Sequence, residues 1–209
     1  MPSDVQICNL ALARLGDSAQ VQSINPPDQS AQATYCALFY DMTRQSVLCE
    51  HQWGSATKIA DLAQTTNTDT RWAYSYAVPS DALEVNIVFP TGYTSHLLRT
   101  TDGVELPPYS MKVGTSGRKE IFSDQLNISI QYTYDLEDTT LFHPMFTDAF
   151  AWRLAANLAG PILKGDVGAA ASKVLMQAYN QALKGAMESD SFDTDIAQGY
   201  VPQGILSRA

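Results

Sequence analysis

The stretch FHPMFTDAFAWRLAANLAG, residues 142–160, decides the fold of this chain. Phe146, Phe150, Leu154 and Leu158 recur at four-residue spacing and form the spine of one helix face. Pro144 suits a first helical turn, where its missing N–H costs nothing, and Gly160-Pro161 ends the run. Around the spine, Ala149, Ala151, Ala155, Ala156 and Ala159 let a second helix approach closely. A helix so apolar needs partners on more than one side. Downstream, a last helix is expected from about Asp166 to Met187, with Val174, Leu175, Ala178, Leu183 and Ala186 facing inward.

Upstream of this stretch the texture changes. From about Thr65 to Asp138 short runs rich in aromatic and β-branched residues alternate with Pro, Gly, Asn and Asp, which reads as a β region. WAYSYAV, ALEVNIVF, SHLLRT, YSMKV, KEIFS and NISIQYTY are the expected strands. Leu83, Val85, Ile87 and Phe89 alternate with their neighbours, as do Ile128, Ile130, Tyr132 and Tyr134, while Asp102-Gly103 and GTSG at 114–117 mark reversals.

Further towards the N-terminus helical spacing returns. Ser3 and Gln6 form a capping box for a helix to Leu15, with Gly16 past its end and Ile7, Leu10, Ala11 and Leu15 as its apolar stripe. After Asn25-Pro26-Pro27, a longer helix is expected from Asp28 or Ser30 to Trp53, with Tyr35, Leu38, Phe39, Met42, Cys49 and Trp53 as the core stripe. Residues 54–64 fit a short helix and a strand equally poorly. The expected fold class is therefore α+β: a four-helix bundle built from both chain ends, 1–64 and 139–188, with an inserted antiparallel β domain, 65–138, and an extended C-terminal arm, 189–209.

Composition narrows the function classes. Net charge is −9, and the 13 Lys and Arg residues are scattered without a run, which opposes tight nucleic-acid binding. Charged residues are 17%, against about 25% in an average chain, so the surface is cheap to desolvate and leans towards several protein contacts. Cys8, Cys36 and Cys49 are odd in number, without CxxC spacing, and are expected to be buried free thiols. MPSDVQICNLALARLG carries no basic n-region, and no run reaches ~18 apolar residues, so a soluble protein made in the cytoplasm, with no membrane partner, is expected.

Three stretches together resemble the tail tubular protein A family, the head-to-tail adaptors (connectors) of short-tailed bacteriophages. The first is ICNLALARLG followed by a long helix closing on LCEHQWGSATKIADLA. The second is YSYAVPSDALEVNIVF, an aromatic run leading through Pro-Ser-Asp into a strand. The third runs from IQYTYDLEDTTLFHPMFTDAFAWRLAANLAGPI into a long Ala-rich helix. They cover most of the chain in the family's order. The resemblance implies a virion protein at the head-to-tail junction: a dodecameric ring of identical copies between the portal protein and the tail nozzle protein. It implies a channel through which double-stranded DNA passes transiently, and no cofactor. One departure is the ending, SDSFDTDIAQGYVPQGILSRA, where similar sequences often continue into a tail with Trp and Arg. An acidic wall would repel phosphates in such a channel, and ordinary acidity for solubility explains the same charge equally well.

The alternative function is a virion-associated peptidoglycan or glycan hydrolase, which needs two carboxylates flanking a glycosidic bond. Asp135, Glu137 and Asp138 form the densest acidic group, and Glu50 adjoins His51; solvated turn and cap positions are the plain reading of both. A third option is an assembly chaperone or interaction module. His51, His96 and His143 have no metal-ligand spacing, so no metal is expected. GPILKGDV, residues 160–167, lacks the Lys and Ser or Thr of a phosphate loop and reads as a helix break; GTSG is no nucleophile elbow. Trp53 and Trp152, placed on helices, read as packing anchors, with Trp72 the third candidate for stacking.

The last 21 residues carry the expected partner-binding set: Phe192, Ile196, Tyr200, Val201, Ile205 and Leu206. They follow neither helical nor strand period and are spaced by Asp, Gln, Gly and Pro, so the segment cannot cover its own apolar side chains. A groove on the portal or on a neighbouring copy is the expected destination.

Overall fold

A computed structural model describes residues 2–92, 106–114 and 117–194. The protein is α+β, and among the described residues it has four helices and two antiparallel sheets. Two compact units share the chain: Met1–Tyr40 together with the chain from Phe142, and Asp41–Leu141. The division falls within the second helix.

In the first unit, α1 (Asp4–Leu15) is capped as its sequence dictates. Ser3 accepts the Gln6 N–H, the Gln6 side chain returns to the Ser3 N–H, and Gly16 closes the helix at φ 85°. α2 (Ala31–Cys49) starts where the Ser30 hydroxyl accepts the Ala33 N–H. α3 (Pro144–Leu163) carries the expected spine, with Phe146, Phe150, Leu154 and Leu158 all buried and the five alanines buried beside them. His143 caps it, its Nδ1 accepting the Met145 N–H, and the helix continues through Pro161 rather than stopping there. α3 packs against both α1 and α4 (Gly165–Thr194). GPILKGDV is the sharp turn between α3 and α4, and the bare Cα of Gly168 lets the two backbones meet there: a Cβ would lie 2.8 Å from the Ala159 carbonyl. Phe142, Phe146, Phe150 and Tyr40 stack edge-on at 5.0–6.3 Å in the centre.

α2 and α4 differ from the expected helices both in where they end and in which face is buried. α2 ends at Cys49, four residues short of Trp53, because the indole N–H of Trp53 takes the Val47 carbonyl, one of the orphan acceptors of a helix end. The buried residues of α2 are Ala33, Cys36, Tyr40, Thr43, Arg44, Val47 and Leu48, whereas Leu38 and Met42 are 66% and 57% exposed. In α4 Tyr179 is buried and Val174 is 64% exposed. This helix also runs on through residues 189–194, which the sequence reading gave to an irregular arm: Asp190 extends the buried row of Leu175, Tyr179, Leu183 and Ala186, and no Gly or Pro intervenes.

The second unit holds β1 (Thr57–Asp61), β2 (Gln64–Thr65), β3 (Tyr74–Ala77), β4 (Ala82–Pro90), β5 (Tyr109–Val113), β6 (Lys119–Ser123) and β7 (Ile128–Tyr134). The sheets run β1-β7-β4 and β2-β3-β6-β5, and their side chains share one core of Tyr76, Val78, Val88, Ile121, Ile128, Ile130 and Tyr132. β7 is the central strand of its sheet, so Ser129 and Thr133 are buried as well as the residues that alternate with them. In β4 two register shifts interrupt the expected alternation, and adjacent Val88 and Phe89 are both buried. At the β5–β6 reversal the Gly114 N–H donates to the Arg118 carbonyl and Gly117 stands at φ 75°; Thr115 and Ser116 of GTSG lie outside the described residues. Residues 57–61 and Gln64, which fall within the stretch 54–64 that fits neither period and was grouped with the helical part, are in strands, and Thr65, expected in the β region, completes β2. SHLLRT and Asp102-Gly103 lie outside the described residues.

The Pro-Ser-Asp turn has a local reason. Ala82 N–H bonds back to the Pro79 carbonyl, and the Asp81 carboxylate takes Lys58 Nζ at 2.9 Å from β1. That ion pair and the Tyr132 hydroxyl hold the Asp81 carboxyl below its ordinary range, and Lys58 lies 3.7 Å from the centre of the Tyr134 ring. The motif is a pin between strands.

Candidate functional site

The densest acidic group, Asp135, Glu137 and Asp138, follows β7. Asp135 accepts Nε and Nη2 of Arg44 at 3.2 and 2.9 Å and the Gln45 amide at 2.8 Å. Arg44 is 5% exposed, and its Nη1 also reaches Asp41 at 2.8 Å. Asp138 accepts the hydroxyl and backbone N–H of Thr140, which hold its carboxyl below the ordinary range and start the short turn Thr139–Leu141. Glu137 is 78% exposed and 4.0 Å from Arg44. A glycosidase acid must keep its proton near neutrality, usually in an apolar pocket. Asp135 is instead bound to a buried cation, and Asp138 is shifted the other way. These residues tie α2 to the end of β7.

The second candidate, Glu50 with His51, lines a shallow recess of about 170 Å³ together with Cys49, Gln52, Glu84, Asn86 and Thr133. The structure thus adds Glu84 from β4, which linear spacing could not show. The His51 ring stands edge-on to Trp53 at 4.9 Å. Cys49 is exposed rather than buried as expected, yet the burial of its sulfur and the Glu84 charge raise its pKa, which disfavours the thiolate a nucleophile needs. The recess can hold a few waters or one small polar group.

The remaining motifs are structural where they are described. Trp53 lies beyond α2, and Trp152 lies under the Arg14 guanidinium at 4.2 Å, with Arg14 paired to Asp148. Cys8 and Cys36 are buried free thiols. Among the described residues no group of three His, Cys, Asp or Glu is placed to hold a metal ion, and no helix is long and apolar enough to cross a membrane. His96 lies outside the described residues.

No family model matches this sequence, and no curated protein does.

Of the expected partner-binding residues, Phe192 belongs to α4, and Ile196, Tyr200, Val201, Ile205 and Leu206 lie outside the described residues. What the sequence reading missed is how much apolar surface the elements themselves leave in water. Leu38 and Met42 on α2, Ile59 on β1, Met111 and Val113 on β5, and Val167 and Val174 on α4 are between 46% and 70% exposed. Single exposed apolar residues are ordinary, whereas repetition at two-residue spacing on β5, at four-residue spacing on α2 and at seven-residue spacing on α4 makes stripes. The periodicity that was read as burial on α2 is the periodicity of one of these stripes.

Proposed function

We propose that this chain is a structural virion protein, a head-to-tail adaptor of a short-tailed bacteriophage. Twelve copies close a ring between the portal protein and the tail nozzle protein and leave a channel for the genome. In this reading the helices from both chain ends form the bundle, and the segment after α4 is an arm that settles on the portal or on a neighbouring copy. The copies are made in the host cytoplasm and act in the virion, by shape and contact, with no catalytic step.

The observation that carries the reading is the spread of exposed apolar stripes over α2, α4 and β5, in a chain with few charges. A hydrolase concentrates its chemistry in one cleft, whereas a ring subunit with neighbours on both sides needs several modest, separate contacts. The order of the three family-like stretches along the chain supports it as well. Electron microscopy of the protein mixed with its portal tests the proposal. A twelvefold ring seated on the portal is expected, and one or two copies per portal ring would overturn it.

A further inference from the structure

Three arginines among the described residues, Arg14, Arg44 and Arg71, each reach a carboxylate: Asp148, Asp41 with Asp135, and Asp69. Arg153 does not. It projects from α3 over the buried ring of Tyr179 on α4, its Cζ 5.1 Å from the ring centre, and its Nη1 contacts the Met176 sulfur at 3.0 Å. Its Nε is buried without a hydrogen-bond partner, so a group from outside can meet the half-buried side chain only at its Nη edge. A guanidinium costs free energy to desolvate, and a thioether with an aromatic face is weak compensation beside a carboxylate. Arg14 provides the internal comparison, since it too is held over an aromatic ring of α3 but has Asp148 as its counter-ion.

We propose that Arg153 is the receptor for a carboxylate supplied by a second copy of this chain. The fork is already positioned by Tyr179 and Met176, so little rotamer entropy is left to lose when an acid arrives. Lys173 is exposed one helical turn from Met176 and makes no ion pair among the described residues, so its amine is a reporter on the same helix as the residues that hold the fork. The partner follows from the charge. With 22 acidic against 13 basic residues, copies of this chain repel one another unless a local basic point meets the acidic surplus of a neighbour. The same surplus disfavours a DNA phosphate as the occupant. This inference deepens the ring proposal by naming one subunit contact.

The test uses full-length chain in heavy and light isotopic forms, mixed and treated with a carbodiimide that joins a lysine to a carboxylate in direct contact, with and without the portal present. Crosslinks of mixed mass from Lys173 to a carboxylate of the other copy are expected at about 0.1 M ionic strength and should vanish near about 1 M, where the screening length falls to about 3 Å. R153Q should lower their yield by about tenfold, the loss expected for a charge-assisted hydrogen bond, and R153K should restore only part of it. The absence of mixed-mass crosslinks at Lys173 in both arms, or their persistence in a folded R153Q protein, would overturn the inference. So would duplex-DNA binding that R153Q abolishes. A ring on the portal whose crosslinks lie elsewhere sinks this contact and leaves the adaptor proposal standing; mixed-mass crosslinks at Lys173 without a ring do the reverse.

Discussion

Arg44 and Asp135 face each other at 2.9 Å across 91 positions of sequence, and the guanidinium is 5% exposed. Removing one partner of such a pair strands the other charge away from water, which costs far more than the pair is worth against an apolar replacement. Arg44→Ala is expected to destabilise the protein by about 3–5 kcal/mol in urea unfolding, whereas Arg44→Met with Asp135→Leu should recover most of the loss. If Asp135 were a hydrolytic group instead, Asp135→Asn would abolish glycan cleavage with little change in the unfolding midpoint.

Asp28 anchors the loop ahead of α2. Its carboxylate accepts the Gln22 N–H, then the hydroxyl and N–H of Ser30, and these lower its pKa from the ordinary 3.8 to about 2. A depressed carboxylate stabilises the fold fully above its unfolded pKa and loses that contribution as pH falls through the folded one. Stability is therefore expected to drop between pH 3.8 and about 2. Asp28→Asn should remove that portion of the acid transition, as followed by circular dichroism.

Two glycines of α4 respond in opposite directions to the same change. At Gly168 a Cβ would meet the Ala159 carbonyl at 2.8 Å and force α3 and α4 apart, whereas at Gly185 it would meet only the Met145 methyl, at 3.5 Å. Helix propensity favours Ala over Gly by about 1 kcal/mol at both positions. Gly185→Ala should raise stability by up to that amount, and Gly168→Ala should lower it by about 1–3 kcal/mol through the clash. Equal melting shifts for the two variants would remove the close approach from the account.

These pairs explain what the sequence could tell. The cap of α1 and the spine of α3 were legible because their signals are local: a hydroxyl three residues from an amide, and large side chains on one helical face. α2 was misread because hydrophobicity stood in for burial. Its buried face holds Thr43 and Arg44, while Leu38 and Met42 point to water. β1 was missed because it is an edge strand whose one large apolar residue, Ile59, is exposed, so no alternation remains. The candidate acids could be named from sequence, but not Arg44 beside Asp135 or Glu84 beside Glu50, because those neighbours arrive through tertiary structure.

The thiols give a reading of the helical face that needs no partner. Cys8 and Cys36 are buried, and Cys49 is exposed with a raised pKa. A maleimide is expected to label Cys49 alone in the native protein, at a rate that keeps rising above the pH at which a free thiol levels off. Native-state labelling of Cys8 at a comparable rate would contradict the packing of α1.

The arm proposal is best tested by a truncation placed where α4 allows it. A cut after Glu188 removes buried Asp190 and the last turns of α4, so lost portal binding would not separate the arm from damage to that helix. Cutting after Thr194 leaves α4 whole and still removes Ile196, Tyr200, Val201, Ile205 and Leu206. Each large side chain is worth roughly 1.5–3 kcal/mol if fully buried on a partner, so losing even two costs more than a hundredfold in affinity. The truncated protein is expected to melt with the full-length chain and to fail to sediment with portal rings. Binding that survives the truncation undiminished would show the arm to be dispensable and move portal recognition to the exposed stripes of α2, α4 or β5.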